Sequence, residues 1–501
     1  MFENFEIQRR RFLAAAVSGI GSLWMAKKFS FGTLFGKFYK NNDNPVSLKE
    51  AHIGSLEIDL RIMNQFGEQP AELQTFYTDC RRALTGNNPQ SDLLVVCHRA
   101  KRSKLGGPFL GDITPTSLSV WMHLAEPTKV KVVVTAEVDG KSNTFTSANE
   151  ESILTVRCDG LSPDTVYTYQ VFSIANNVAI GKGRFVTPPK KLSDKPFRIA
   201  FGADFHKIGM YRPELMKLIR ERQNRAMLLI GDSAVDGRKD DFGLIGTDYL
   251  LRNLSPPLQT LMANVPVSAT WDDHDYWGND VSGSYAKKPK TPIDVDGLRR
   301  TWKLHWNNPE REVNRNGIYF QTKIGPIHHI ALDTRSCRVN DRRGKINSFL
   351  GAEQMAWLKD QITTSESPFI LISGGTMWSD YISAGKDSWG TWDREGREEI
   401  FKLIDGKRDS KVILMSGDRH GARGFAIPRP DNQRIVELEV GTLGGVPGPA
   451  AFADDRQHQL FGLPSKSWAF GELTFSLKNG SPHGIFRLIN EQGKILETVT
   501  V

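Results

Sequence analysis

The sequence predicts a small all-β sandwich followed by an α/β domain with mixed β-sheets. Three observations carry this reading. Short alternating runs punctuated by Gly, Pro and Asp fill residues 93–190, and apolar strands alternate with helix-period segments from 196 to 501. Between them lies Thr187-Pro188-Pro189-Lys190-Lys191, with the composition of a linker. At 501 residues, 39% hydrophobic and 24% charged, the chain is long enough for two ordinary soluble domains.

The chain opens differently. Gln8-Arg9-Arg10-Arg11-Phe12-Leu13 precedes the apolar run Ala14 to Ala26, and it fits the twin-arginine pattern R-R-x-F-L with Arg11 in the variable place. That run is shorter than the roughly 20 apolar residues of a comfortable membrane span. Residues 1–30 are therefore expected to be a signal for the twin-arginine export machinery, which carries folded and often cofactor-loaded proteins. The expected location is periplasmic or secreted. Met25-Ala26 before Lys27 makes a poor cleavage site, so an uncleaved signal acting as a membrane tether stays open.

Residues 31–92 read as a helical or extended lead-in, with a capping box at Ser47-Leu48-Lys49-Glu50. In the sandwich, Ser117 to Trp121, Val130 to Val134 and Val166 to Val171 alternate as strands do. Beyond 196 the expected strands are Phe197 to Phe201, Ala226 to Ile230, Pro368 to Ile372 and Val412 to Met415. The expected helices are Pro213 to Gln223 and Ala352 to Ile362, and Glu472 to Val501 reads as a closing meander. Cys80, Cys97, Cys158 and Cys337 show no C-x-x-C pairing; they read as free thiols, with a Cys80–Cys97 disulfide as the alternative. The net charge of +8 is scattered and no nucleic-acid motif accompanies it, so no specific nucleic-acid partner is expected.

Four apolar strands run straight into acidic or histidine clusters. Phe197 to Phe201 leads to Asp204 and His206, and Met227 to Ile230 leads to Gly231-Asp232. Val265 to Thr270 leads to Trp271-Asp272-Asp273-His274-Asp275, and Val412 to Met415 leads to Gly417-Asp418-Arg419-His420. In open α/β sheets, loops beyond the carboxyl ends of strands gather ligands. Carboxylates and imidazoles in that number, without a matching set of lysines, suit divalent cations better than ion pairs. Gly202, Gly231 and Gly417 beside them are expected to permit the tight turns that aim the ligands.

The succession D-x-H, G-D, D-H and G-D-x-H resembles the calcineurin-like metallophosphoesterase superfamily. Within it, Trp271-Asp272-Asp273-His274-Asp275 resembles the alkaline phosphatase D (PhoD-like) branch. Gly111-Asp112-Ile113-Thr114-Pro115, Gly160 to Thr165, Leu332-Asp333-Thr334-Arg335, Leu350 to Gln354 and Asp387-Ser388-Trp389 are similar to further landmarks of that branch. The resemblance implies a four-layer α/β fold behind a fibronectin-like sandwich. It also implies an exported, metal-dependent phosphatase or phosphodiesterase acting on small-molecule or polymeric phosphoesters. Two or more divalent or trivalent ions would hold a hydroxide and bind the phosphoryl oxygens. Asp232 would bridge; Asp204, His206 and His420 would complete one site, and Asp273 and Asp418 the other. His274 would protonate the leaving group or contact the phosphoryl group, with Asp272 and Asp275 in support. Arg335, Arg338, Arg397 and Arg419 would be candidates to meet phosphate.

The sequence departs from the branch at several places. Asp204 stands where a cysteine is usual and Val235 where a tyrosine is. Ile372 to Trp378 offers no middle histidine, and Asp418 replaces the first histidine of the last motif. The donor set is thereby richer in oxygen, which leans toward Mn, Fe, Ca or Mg over Zn. A catalytically silent phosphoester-binding protein on the same fold is the alternative. His328-His329 read as packing residues and Cys337 as inert. Trp389 and Trp392 are either pocket wall or core, and the loops 236–250 and 282–292 are expected to shape the entrance.

Overall fold

The lead-in folds as helices because its apolar residues recur with a helical period. The structure, a computed structural model, describes residues 45–287, 290–309, 316–445, 450–454, 456–464 and 468–501. The export signal expected at 1–30 and the start of the lead-in lie outside the described residues. Helix α1 (Leu48–Ala51) opens on the capping box: Glu50 N donates to Ser47 Oγ, and Ser47 N donates to the Glu50 carboxylate. Helices α2 (Leu56–Asn64), α3 (Ala71–Leu84) and α4 (Pro89–Arg99) follow. The sandwich was expected from 93, yet Leu93 to Arg99 belong to α4. Its signals are Asn88 at the cap and Pro89 in the first turn, and the run Leu93 to Cys97 is too short for periodicity to separate helix from strand. Cys80 and Cys97, one on α3 and one on α4, are hydrogen-bonded free thiols.

The sandwich strands are β1 (Lys104–Thr114), β2 (Ser117–Thr128), β3 (Val130–Ala136), β4 (Ser142–Thr146), β5 (Glu151–Asp159), β6 (Val166–Ser173) and β7 (Ala179–Val186). They make two antiparallel sheets, in orders β1-β2-β5 and β4-β3-β6-β7. Alternate residues point inward, as the two-residue period of a strand requires: Val130, Val132 and Val134 of β3 are buried with Tyr167, Tyr169 and Val171 of β6. Polar ties join the sandwich to the rest of the chain. Trp121 Nε1 donates to Leu304 O at 2.9 Å, and Asn307 Nδ2 donates to Phe109 O and Ser119 O.

The body behind the sandwich runs in order β8 (Phe197–Gly202), α5 (His206–Gly209), α6 (Pro213–Glu221), β9 (Ala226–Ile230), α7 (Phe242–Leu254), α8 (Pro256–Met262), β10 (Val267–Thr270) and α9 (Asp273–Tyr276). A small hairpin, β11 (Tyr285–Lys287) and β12 (Lys290–Pro292), and α10 (Val295–His305) come next. Then follow β13 (Phe320–Ile324), β14 (Ile327–Ala331), α11 (Gly351–Thr364), β15 (Phe369–Ser373), α12 (Trp389–Gly406, kinked at Asp393), β16 (Lys411–Ser416), β17 (Ala422–Pro428), β18 (Arg434–Val440) and β19 (Gln459–Gly462). The closing strands are β20 (Ala469–Lys478), β21 (Ser481–Asn490) and β22 (Ile495–Thr500). The expected loop 236–250 is in its second half the helix α7, capped by Asp241, whose Oδ1 accepts from Leu244 N.

Two mixed sheets, β10-β9-β8-β20-β21-β22 and β13-β14-β15-β16-β18-β17-β19, face one another. Strand β15 shows why they do. Phe369 and Leu371 join Phe201, Met415 and Phe475 between the sheets, while Ile370 and Ile372 point to Leu358, Ile362 and Phe401 of the outer helices. Leu215, Ile219 and Leu258 cover the other outer face, against Met227. Full burial stabilises each such side chain by about 1.5–3 kcal/mol. The result is helix, sheet, sheet, helix: the four-layer arrangement expected. At the closing hairpin Asn479 and Gly480 take φ of 52° and 76°, as a two-residue type I′ turn requires. His328 and His329 are packing residues, hydrogen-bonded to Ser365 Oγ at 2.9 Å and Ser373 Oγ at 2.8 Å. No helix among the described residues is long and apolar enough to cross a membrane.

Candidate metal centre

Strands β8, β9 and β10 are parallel, as are β14, β15 and β16, so both sheets turn carboxyl ends to one rim. The backbone there is bent back on itself. Asp204, His206, Asp232, Asp418 and His420 all take positive φ, at 56°, 47°, 48°, 74° and 46°. Left-handed backbone at a non-glycine residue costs on the order of 1–3 kcal/mol and persists where the surroundings fix it, commonly at functional sites. Asp273 reaches the rim differently, as the first residue of α9. Of the three motif glycines, Gly231 has the left-handed turn expected of it (φ 89°). Gly417 serves a close approach instead, since a Cβ there would lie 2.7 Å from that of Ala203.

Four sets of donor atoms converge, each within 4.8 Å: His206, Asp232 and His420; Asp232, Asp273 and His274; Asp272, Asp273 and Asp418; and His52, Asp236 and His274. Asp232 is common to the first two and Asp273 to the second and third. The Nε2 atoms of His206 and His420 approach to 3.4 Å, and His206 Nε2 lies 3.7 Å from Asp232 Oδ2. Asp204 alone of the six expected ligands belongs to none of these sets. Its carboxylate accepts from Asp418 N (3.2 Å) and His420 N (3.1 Å), tying the first loop to the last.

The supporting residues have clear tasks. Asp275 accepts from Ser233 N, Ala234 N and Asp272 N, pinning the β9 loop to α9. Asp273 Oδ2 accepts from Asp280 N at 2.6 Å, and His274 N lies between Asp232 Oδ1 and Asp273 Oδ1. Arg335 is fully buried and forks onto Asp272 at 2.5 and 2.8 Å, with its remaining donors on Asp387 (2.8 Å) and Asp418 (3.2 Å). It is an internal counter-ion shared by three carboxylates. Arg338 is likewise bound internally, to Asp387, Thr376 and Thr334 O, and Arg397 to Trp378 O and Asp380. Arg419 stays at the rim, its Nε 3.0 Å from Asp418 Oδ2 and its side chain 16% exposed. Trp271 donates to Asp333 Oδ1 and packs on Trp302, so it closes its strand as core. Trp389 and Trp392 are buried core too.

Two residues at the rim have no sequence motif of their own. Asp236, in the loop after β9, accepts from His206 Nδ1 at 2.9 Å and leaves Nε2 turned toward Asp232. Its signal was the four-residue spacing from Asp232 in a strand-end loop. His52 comes from the lead-in and stacks on His274 with ring centroids 4.3 Å apart; nothing in the sequence around it marks it out.

Charge sets the chemistry. Burial, then Asp273, Asp272, Asp204 and Asp275, raise the Asp232 carboxyl well above the carboxylate range. Burial and Asp272 do the same to Asp418. Burial pushes Asp275 to about 7 and Asp272 to about 6, the latter against the pull of Arg335. Burial lowers His274 and His420. It also opposes charge on His206, but the hydrogen bond and charge of Asp236 outweigh it and raise that imidazole. Carboxylates that hold protons because their negative charges crowd one another are a donor set that fits cations. The missing middle histidine has a steric counterpart. A Cβ at Gly375 would lie 2.3–2.5 Å from Asp272, whose carboxylate fills the place a side chain there would take.

Residues 246–457 match the PhoD-like phosphatase family, and residues 102–190 match a domain of unknown function, DUF7800. No curated protein matches the chain. The solved structure titled "Structure of PhoD" superimposes with a TM-score of 0.57 at 17% identity, over 79% of this chain and 92% of that one. Purple acid phosphatase PPD1 from yellow lupin (Lupinus luteus) seeds superimposes with a TM-score of 0.58 at 15% identity, over 78% and 73%. At those identities the likeness is one of fold. The fold is thus one shared with these two phosphatases, and the rim adds converging Asp and His donor sets. The segment from 246 to 457, which holds Asp272 to Asp275, Arg335, Asp418 and His420, is the part that matches the PhoD-like phosphatase family.

Proposed function

We propose that the chain is an exported phosphatase or phosphodiesterase whose rim holds two or more metal ions, with His274 assisting the leaving group. The observation that carries this reading is the sharing of donors: Asp232 and Asp273 each belong to two adjoining sets on one rim. Bound ions would supply Lewis acidity toward the phosphoryl oxygens and a nucleophile at neutral pH. His206, His420 and the shared Asp232 would hold one ion, with Asp204 securing the loop that carries His420. Asp273 and Asp418, with Asp272 beside them, would hold the other. The prevalence of carboxylate oxygen favours Mn, Fe, Ca or Mg. His274 keeps its backbone N–H on Asp232, and its ring makes no protein hydrogen bond among the described residues, which leaves a ring nitrogen available to hand a proton to a departing alkoxide. Arg419 is the arginine available to a phosphoryl group. Export by the twin-arginine route rests on Arg9 to Leu13 alone.

Hydrolysis of aryl and alkyl phosphate mono- and diesters, with Mn, Fe, Ca, Mg or Zn added to chelator-treated protein, tests this directly. Wild type turns over at least one ester. Asp232→Asn loses activity and metal content together, and His274→Ala loses about 10²–10⁴ in kcat with metal retained. Phosphoester binding without turnover under every metal would replace the enzyme reading by the silent one.

A further inference from the structure

A histidine that delivers a proton is ordinarily aimed by a hydrogen bond to its other ring nitrogen. His274 has none: its Nδ1 is buried and without a partner. Carboxylates of Asp232, Asp273 and Asp236 lie within 4.8 Å of a ring nitrogen without a hydrogen bond, and two other rings touch it. His206 meets it edge-on, at 5.3 Å and 83°, and His52 lies over it at 4.3 Å with planes 29° apart. His206 is already committed to Asp236 through Nδ1. The flat contact that fixes the plane of the His274 ring is therefore the one with His52.

His52 is itself held in place by its backbone. It caps the C-terminus of α1, and Arg238 grips that turn, Nη1 donating to His52 O at 2.9 Å and Nη2 to Ala51 O at 3.2 Å. The other side of the same guanidinium is locked on Asp248 of α7 at 2.7 Å. Asp248 also receives Lys207 at 2.7 Å, and Lys207, next in the chain to His206, reaches Asp59 of α2 at 2.5 Å. Asp59 in turn takes Arg81 and Tyr77 of α3, and Arg81 caps Gly54 O, two residues beyond His52. So many buried charges joined in one chain form a rigid mount, because removing any one partner strands a charge in the interior. The side chain at the end of the mount is the exception. His52 Nε2 makes no hydrogen bond and stands 3.7 Å from Asp236 Oδ1, while the side chain as a whole is 29% exposed.

We propose that His52 is a positioning residue for His274, so that the amino-terminal helices supply part of the active site. His52 lies outside both segments that match known families, 102–190 and 246–457, and no motif covers it. The proposal rests on the reading of His274 as the proton donor. It gives His52 a defined action: the stack holds the His274 imidazole in the plane from which it meets the leaving oxygen. Esters whose leaving group needs a proton should depend on His52, and esters that leave as stable anions should not.

The test compares His52→Ala and His52→Phe with wild type on an alkyl phosphate and on p-nitrophenyl phosphate, with the best metal. His52→Ala should lower kcat for the alkyl ester by about 10-fold or more, and for the nitrophenyl ester by less than about 3-fold, within the range that acid assistance spans. His52→Phe, which keeps a flat ring and drops the nitrogens, should recover most of the alkyl-ester rate. The double variant His52→Ala/His274→Ala should be no slower than His274→Ala, as expected of two residues acting as one unit. Imidazole ¹H–¹⁵N spectra of the metal-free proteins give a readout without turnover: the His274 ring signals move and broaden in His52→Ala. Unchanged His274 signals, equal losses on both esters, or additive double-variant effects would each overturn the proposal. Wild type inert on both esters sinks the phosphoester reading, and the spectra still decide whether His52 holds His274.

Discussion

Metal should stabilise this protein more as the pH rises. The perturbation is addition of 1 mM Mn²⁺ to chelator-treated protein at a series of pH values from 5 to 8. Asp232, Asp272, Asp275 and Asp418 have folded-state pKa values raised above those of an unfolded chain, chiefly by burial and by one another. A raised carboxyl contributes stability below its unfolded pKa and loses it as pH climbs toward its folded pKa. Each proton the folded state must retain costs about 1.4 kcal/mol per pH unit across that window. With Asp272 at about 6 and Asp275 at about 7, the window runs from about pH 4 upward through neutrality. The contribution of these carboxyls to apo stability therefore falls over that span, by on the order of 3 kcal/mol for one carboxyl crossing two units. A cation bound among these oxygens replaces the protons and removes that loss. At a hundredfold excess over its Kd it adds about 2.7 kcal/mol of its own. By thermal unfolding, the metal-induced rise in Tm should be about 5 °C or more at pH 8 and near nothing at pH 5, at about 2 °C per kcal/mol for a chain of this size. A rise that is flat or shrinks with pH would refute the reasoning, because it would mean that protons and metal do not compete for these carboxylates.

Two substitutions probe the second half of the rim. Arg335→Ala leaves Asp272, Asp387 and Asp418 without their shared counter-ion, and should cost about 3–5 kcal/mol in unfolding free energy by denaturant titration. An equally stable variant would mean the guanidinium is not the internal counter-ion described. Gly375→Ala drives a methyl into the Asp272 carboxylate, 2.3–2.5 Å away, and should lower bound metal by about one equivalent by elemental analysis. Full metal content and activity in that variant would separate Asp272 from the metal sites.

What the chain declared of its fold lay in periods and punctuation. Phe369 to Ser373 points alternately to two cores, and each acidic cluster follows such a strand directly, so the four-layer body and its rim were both legible. The rim's supporting half was not. Arg335 looks in sequence like any arginine near a phosphate site, and its role as buried counter-ion depends on three carboxylates 52 to 83 residues away. Leu93 to Cys97 could pack as strand or helix, and the cap signals at Asn88 and Pro89 were the better guide. His52 is the extreme case. Its place over His274 comes from a turn gripped by Arg238, a contact between residues 186 apart that no local pattern encodes.

The mount beneath His52 also orders events in the life of the chain. Asp59 waits for Lys207 across 148 residues, and the carbonyls of Ala51 and His52 wait for Arg238 across 187 and 186. The lead-in helices therefore lack these ties until the strands β8 and β9 and the helix α7 have been made. Once they dock, Lys207 and Asp248 are buried beneath the turn that carries His52. Burial of this part of the interior and placement of His52 at the rim draw on the same ties, and a nascent chain stalled before residue 248 lacks Asp248, where Arg238 and Lys207 meet.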